Sequence, residues 1–201
     1  MERTHLTALV LAAGRSRRFG QPKQLLPWHG TTLLGWIVAQ AENSSAVDEV
    51  LVTLGQASDE ILASLTLRRA RPVIAREYAE GCAASYRAGL AAVNPQTHGL
   101  MILPSDQPDI ETETIDRMAA AWCALADETI QILVASYQGV PGHPLIFDRR
   151  LFPELAALHG DKAAWKLLDT YPERIARVEL NRPTPRNINT IAEYAALVGK
   201  A

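Results

Sequence analysis

"LTALVLAAGRSRRFGQPKQ", residues 6–24, joins two opposite kinds of sequence at one glycine. Before Gly14 runs an unbroken stretch of mostly apolar residues, 6–13, with the length and character of a strand buried on both faces. After it, Arg15, Arg17, Arg18 and Lys23 follow in quick succession with no acid among them. The chain as a whole is not basic: 20 Lys and Arg stand against 22 Asp and Glu, a net charge of -2. The positive charge is therefore local. It points to a small anionic ligand and away from nucleic acid, which favours an extended basic face.

From this strand to the C-terminus, apolar runs alternate with helical patterns. Strands are expected at 47–55, 71–75, 99–106, 129–136 and 174–180, and helices at 31–42, 58–66, 80–93, 111–126, 149–158, 161–171 and 190–199. Thr31 or Thr32 is placed to cap the first helix and Ser58 to open the second. The rhythm breaks at "YQGVPGHPLIF", 137–147, where two Gly and two Pro surround a second apolar run. That pattern predicts a hairpin-like excursion followed by a strand antiparallel to the rest. The alternation predicts an α/β fold: a three-layer sandwich with a Rossmann-like, mostly parallel sheet and one antiparallel strand. With 201 residues, 48% hydrophobic and 21% charged, and no repeat or linker, a single domain over 1–201 is expected. Ligands of such sheets bind at the carboxyl ends of the strands. The segments Gly14–Lys23 and 104–108, with the loops near Gly142 and Asn187, are thereby expected around one cleft.

Cys82 and Cys123 have neither metal-ligand spacing nor a nearby His and read as buried thiols of a reducing compartment. No apolar stretch approaches a membrane span and the first residues do not read as a signal peptide, so a cytoplasmic protein is expected.

The basic loop is neither G-x-G-x-x-G nor G-x-x-x-x-G-K-[ST], since Gly14 and Gly20 have no glycine between them and Gln21 follows Gly20. Its chemistry still suits phosphate: Gly14 allows close backbone approach, and Arg15, Arg18 and Lys23 supply charge. Taken alone, a basic loop is more often a solvated surface. Its place directly after the first strand favours the ligand.

The segment 10–34, "VLAAGRSRRFGQPKQLLPWHGTTLL", resembles the signature of the MobA-like nucleotidyltransferases, LAAG-x-S-x-R-(F/M)-G-x-x-K-x-L, and within them the molybdenum cofactor cytidylyltransferase branch. Further resemblances follow in order at 80–90, 103–110, 139–147, 158–168 and 187–194. The resemblance implies a fold of the nucleotide-diphospho-sugar transferase type. It implies an enzyme that joins CTP, or another NTP, to a phosphorylated acceptor of the molybdopterin type with Mg²⁺, and a molybdoenzyme or maturation partner for the product.

It also implies roles. Leu11, Ala12, Ala13 and Gly14 would line the base and ribose, with Ala12-Ala13 narrowing the pocket toward CTP. Arg18 and Lys23 would contact the triphosphate with help from Arg15, while Arg17 is surplus. Asp106, in "PSDQP", would hold the metal; by itself, an Asp at a strand end beside Pro is more often a turn residue. Asp109 is the weaker metal candidate, better read as a turn or helix-start residue. The family's second metal ligand lies in a D-x-D-T pattern, here "NINT" with Asn187 and Asn189. An Asn carbonyl can still ligate Mg²⁺, without charge; alternatively, Asn189 caps the closing helix.

Gly81 and Ser85 would meet the nucleotide at a helix N-terminus. Gly142 and His143 would face the acceptor, as would Asp161, kept from a G-D-x-G-A-R pattern that reads "GDKAAWK" here. Trp165 in that segment could stack on a ring or fill a core gap, and the core is the favoured reading. Three other functions remain open: transfer to a sugar or alcohol phosphate, non-catalytic binding or delivery of a molybdenum cofactor, and dinucleotide oxidoreduction. The last is disfavoured by the missing G-x-G-x-x-G.

Overall fold

The computed structural model describes residues 5–14, 16, 19–160 and 163–198. Its first strand, β1 (Leu6–Ala12), leads through a small hairpin, β2 (Pro27–Trp28) and β3 (Thr31–Thr32), into α1 (Leu33–Asn43). His29 and Gly30 at the hairpin turn both have positive φ, 43° and 80°, as the two-residue turn that matches strand twist requires. Then come β4 (Glu49–Leu54), α2 (Ser58–Ser64), β5 (Arg71–Ile74), α3 (Cys82–Ala92), β6 (Gly99–Pro104) and α4 (Thr112–Cys123). The remainder is β7 (Ile132–Tyr137), β8 (Val140–Asp148), α5 (Phe152–Ala156), α6 (Ala163–Thr170), β9 (Ile175–Glu179) and α7 (Ile191–Val198).

The main sheet has seven strands in the order β5-β4-β1-β6-β8-β7-β9. β1 pairs in parallel with both β4 and β6, while β8 is antiparallel to both of its neighbours, β6 and β7. The Gly/Pro-rich stretch thus yields the antiparallel strand expected of it, and the rest of the sheet runs one way.

Period-2 alternation splits β1 between two cores. Ala8, Val10 and Ala12 face α1 and α4, packing with Leu34, Ile37, Met118 and Trp122. Leu9 faces the opposite layer, with Tyr86 of α3, Leu155 of α5 and Leu167 of α6. A sheet covered on both faces explains why the first apolar run shows no polar alternation.

Helix starts follow local chemistry. Thr32 caps α1, its hydroxyl accepting from the Gly35 amide at 3.1 Å. Ser58 does not cap α2: Ala57 holds that position at φ 60°, and no side-chain bond closes it. α7 is opened by Thr190 and Glu193. The Thr190 hydroxyl accepts from the Glu193 amide, and the Glu193 carboxylate accepts from the amides of Asn189 and Thr190. This reciprocal box gives the capping role to Thr190 rather than to Asn189.

Cys123 is exposed and Cys82 half-buried, so neither is the buried thiol expected, and no disulfide joins them. Cys123 sits at the last position of α4, outside its buried stripe. Among the described residues, no helix is long and apolar enough to cross a membrane.

Candidate active site

The chain leaves β1 toward β4 on one side and later returns to β6 on the other. The carboxyl ends of β1 and β6 therefore border a crevice, where open α/β sheets place their ligands. The two ends are tied together: the Ser105 amide donates to the Leu11 carbonyl at 3.3 Å. Residues immediately beyond them, Gly14 and Asp106, line a cavity of about 650 Å³. A second cavity of about 620 Å³ adjoins it, sharing Gly14, Ser16 and Tyr78.

At the first cavity, Lys23 Nζ lies 2.6 Å from Asp106 Oδ2. Both side chains are largely shielded, 15% and 21% exposed, so this pair is less screened than an ordinary surface ion pair. Sequence reasoning did not anticipate what holds Lys23 there. Gln24, 1% exposed, donates its amide to the carbonyls of Ala12 at 2.7 Å and Gly14 at 3.1 Å. Its carbonyl accepts from the Ser16 hydroxyl at 3.2 Å, and that hydroxyl accepts from the Lys23 amide at 3.0 Å. Ser16 itself has φ 49°. The loop is wound about one buried amide, and the winding sets where Lys23 points. The signal was a Gln directly after the Lys of the motif, which reads as any polar loop residue.

The Asp106 loop is anchored from the far end of the chain. The Ile188 amide donates to the Asp106 carbonyl at 2.9 Å, and Gln107 Nε2 donates to Asn187 Oδ1 at 2.9 Å. This brings "NINT" beside Asp106, but commits Asn187 to Gln107. Asp109 is bound to Arg186 by side-chain contacts of 2.6 and 2.8 Å, plus the Arg186 amide at 2.9 Å. Burial alone would raise the Asp109 carboxyl; the Arg186 contacts outweigh it and hold the pKa below the usual value. Asp109 is thus an anchor for the segment bearing Asn187 and Asn189.

The other expected residues divide clearly. Leu11, Ala13 and Gly14 border the cavity, whereas Ala12 packs into the core and presents its carbonyl to Gln24. Gly81 is the N-cap of α3 at φ 100°, and both it and Ser85 border the cavity. His143 borders it too. Gly142 instead lies against the Tyr137 ring, which a Cβ there would meet at 3.0 Å. Trp165 is not core filler: it is half-buried on the cavity wall, its ring edge-on to His143 at 5.6 Å. Ala164 and Leu167 supply the apolar face that α6 turns to the core, and Trp165 lies off that face. Burial pushes the His143 imidazole down to about 4, against an opposing pull from Asp106, so it is neutral near pH 7. Arg15, Arg17, Arg18 and Asp161 lie outside the described residues.

Among the described residues, no three His, Cys, Asp or Glu side chains gather into a metal cluster. The side-chain oxygens at this end of β6 are the Asp106 carboxylate, which the Lys23 ammonium meets at 2.6 Å, and Gln107 Oε1, which is buried without a hydrogen-bond partner. Such a set fits a hard divalent cation that takes its remaining ligands from phosphate and water.

Residues 8–176 match the model of the MobA-like NTP transferase domain. The chain belongs to this family. The protein Rv0371c from Mycobacterium tuberculosis H37Rv has a similar structure, with a TM-score of 0.87 and 36% identity over 98% of this chain and 99% of that one. A structure of Rv0371C in complex with manganese matches with a TM-score of 0.85 and 34% identity over 98% and 100% of the two chains. A nicotine blue oxidoreductase from Paenarthrobacter nicotinovorans is 28% identical, covering 96% of each chain. The molybdenum cofactor cytidylyltransferase of Escherichia coli K12 is 28% identical over 72% of this chain and 70% of its own. The family assignment makes this chain a nucleotidyltransferase of MobA-like type, and a CMP:2-keto-3-deoxy-manno-octonic acid synthetase shares its α/β fold with a TM-score of 0.75 at 14% identity.

Proposed function

We propose that this chain transfers CMP from CTP to the phosphate of molybdenum-bound molybdopterin, releasing pyrophosphate. The observation carrying this reading is the Lys23–Asp106 pair where the ends of β1 and β6 meet, a charge pair suited to triphosphate and divalent metal. An acceptor phosphate oxygen attacks the α-phosphorus of CTP. The new P–O bond forms as the bond to the β-phosphate oxygen breaks, and pyrophosphate departs with that electron pair. A phosphate dianion is already nucleophilic, so the step needs positioning and charge rather than a general base. Lys23, with Arg18 and Arg15 from the same loop, neutralises the triphosphate. Asp106 and Asn189 would hold Mg²⁺, which when bound supplies further positive charge to the phosphates. Gly81 and Ser85 at the start of α3 receive the nucleotide. His143 and Asp161 belong to the acceptor's side.

CTP is preferred over GTP on two grounds: the methyl of Ala13 at the cavity, and the cytidylyltransferase among the relatives. Relatives named molybdenum cofactor guanylyltransferase make GTP the competing donor to test. On this reading the chain is a single cytoplasmic transferase domain, with a molybdoenzyme or its maturation factor as recipient of the product.

The relative named as an oxidoreductase favours a second reading, in which the same crevice holds a reduced dinucleotide. One experiment separates them. The protein is supplied with Mg²⁺, molybdopterin and each NTP in turn while pyrophosphate is followed, and in parallel with NADPH and nicotine blue as electron acceptor while NADPH oxidation is followed. Pyrophosphate release greatest with CTP, and abolished in a folded Asp106→Ala variant, is expected. NADPH oxidation without pyrophosphate release would favour the oxidoreductase, and full activity in Asp106→Ala would sink the metal assignment.

A further inference from the structure

α6 is amphipathic, and its core-facing positions are already filled by Ala164 and Leu167, with Leu168 packed behind them. Trp165 is one step round from that face and contributes its ring to the cavity instead. A large aromatic in that position costs apolar exposure that the core does not require. Its ring stands at 87° to the His143 imidazole, an edge-to-face pair that fixes the orientation of both. His143 is in turn held from behind: Tyr137 donates its hydroxyl to the His143 carbonyl at 2.5 Å. The Tyr137 ring lies against Gly142, where an added Cβ would meet it at 3.0 Å, a tight contact. The pair is thus a braced aromatic corner in the same cavity as Lys23 and Asp106. One enclosure combines charge for a phosphate with a neutral aromatic surface for something flat.

We propose that Trp165 is the specificity-determining residue for the acceptor, its ring and that of His143 forming the corner that receives a planar heteroaromatic system. The inference rests on the phosphorylated acceptor proposed above and narrows it: sugar and alcohol phosphates lack the flat π-face that this corner rewards. A heteroaromatic ring against an indole gains both area burial and oriented π contact; the base of CTP is flat as well, so it is unchanged CTP binding in Trp165→Phe that assigns the corner to the acceptor. The neutral state of His143 suits it to face an uncharged ring, since no ion need be desolvated.

The test uses the full chain and 6-hydroxymethylpterin as probe. Pterin absorption overlaps indole emission, so binding quenches tryptophan fluorescence. The chain has four tryptophans, so the contribution of one is read as the difference from Trp165→Phe. The expected result is quenching in the native chain that falls by at least half in Trp165→Phe, while CTP binding by equilibrium dialysis is unchanged in both. In turnover with molybdopterin, Trp165→Ala is expected to raise the acceptor KM tenfold or more with kcat changed less than threefold. Trp165→Phe should recover most of that loss. Undiminished quenching in Trp165→Phe, or an unchanged acceptor KM in Trp165→Ala, overturns the proposal. If Trp165→Ala does not fold, the fluorescence of Trp165→Phe decides alone. Absence of pyrophosphate release with every NTP would defeat the transferase reading, while the quenching measurement would still decide the role of Trp165.

Discussion

Replacing Gln24 by Leu tests whether a single buried amide shapes the cation-bearing loop. The two side chains have similar volume, so the change removes hydrogen bonds and leaves little cavity. Three bonds disappear: those to the Ala12 and Gly14 carbonyls and that from the Ser16 hydroxyl. The Ala12 carbonyl belongs to a residue 1% exposed, where a lost partner costs about 1–3 kcal/mol. Gly14 is exposed and Ser16 half-buried, so water replaces much of what they lose, and each adds only ~0.5 kcal/mol. The sum is about 2–4 kcal/mol. Divided by a urea m-value of ~2 kcal/mol/M, this lowers the unfolding midpoint by roughly 1–2 M. The second consequence is functional. Ser16 accepts from the Lys23 amide, so loss of the Gln24 anchor loosens the segment that aims Lys23 at Asp106. Nucleotide affinity should fall by about tenfold or more, equivalent to one well-placed charged hydrogen bond. Urea titration followed by circular dichroism measures the first effect, and equilibrium dialysis with CTP the second. A midpoint within 0.3 M of the native value, on that same m-value scale, together with undiminished CTP affinity, would refute the claim that Gln24 organises the loop.

Three further outcomes follow from neighbouring geometry. His143 titrates near 4 when folded against an ordinary 6.5, so between those values the unfolded chain binds a proton that the folded chain refuses. Stability should therefore fall as pH drops from 6.5 toward 4, by about 2–3 kcal/mol allowing for the ring's partial exposure, and His143→Gln should flatten that part of the curve in urea titrations. Glu179 is pulled down to about 2, first by the Ser136 hydroxyl and then, outweighing an opposing effect of desolvation, by the amides of Gln138, Asn181 and Gly139. Its hold on the turn between β7 and β8 is complete above about 4.5 and lost as pH falls toward 2; amide exchange at 138–140 should accelerate over that interval, and at pH 7 in Glu179→Ala. Gly55→Ala should be severe, because the added carbon would meet the Ala13 carbonyl at 2.6 Å and the Tyr78 Cβ at 2.8 Å. Backbone and ring stem cannot swing away as a side-chain tip can, so a drop of several degrees in Tm is expected, together with weaker CTP binding.

What the sequence revealed and what it concealed have separate physical causes. Strands and helices were legible because burial writes a period into the chain: the apolar run at 6–13 and the Gly/Pro break at 137–147 placed β1 and the antiparallel β8 correctly. Asp106 and Lys23 were legible because each stands at a strand end or in a motif beside one. The contacts that support them were not. Gln24 works by reaching the carbonyls of Ala12 and Gly14, and a backbone carbonyl has no letter in a sequence. Asn187 and Gln107 meet across 80 positions, as Asp109 and Arg186 do across 77, and no local pattern marks such pairs.

The error over Trp165 is of another kind. A tryptophan at helical spacing among Ala and Leu reads as core, because period alone does not say which side of the apolar arc borders a cavity. Only the position of α6 beside His143 settles that. The misreading of Cys123 has the same origin, since composition makes cysteine a buried residue on average while the end of α4 leaves this one in solvent. Average burial is a property of residue types; sites are made where a particular residue departs from it. A half-exposed tryptophan and a fully buried glutamine are the two departures flanking the Lys23–Asp106 pair, one on the cavity wall beside His143 and one holding the loop that carries Lys23. Altering them separately should divide the reaction into its two halves: Gln24→Leu should weaken CTP and leave pterin quenching intact, whereas Trp165→Phe should do the reverse. A variant of either residue that impaired both ligands equally would mean that the cavity behaves as one undivided site.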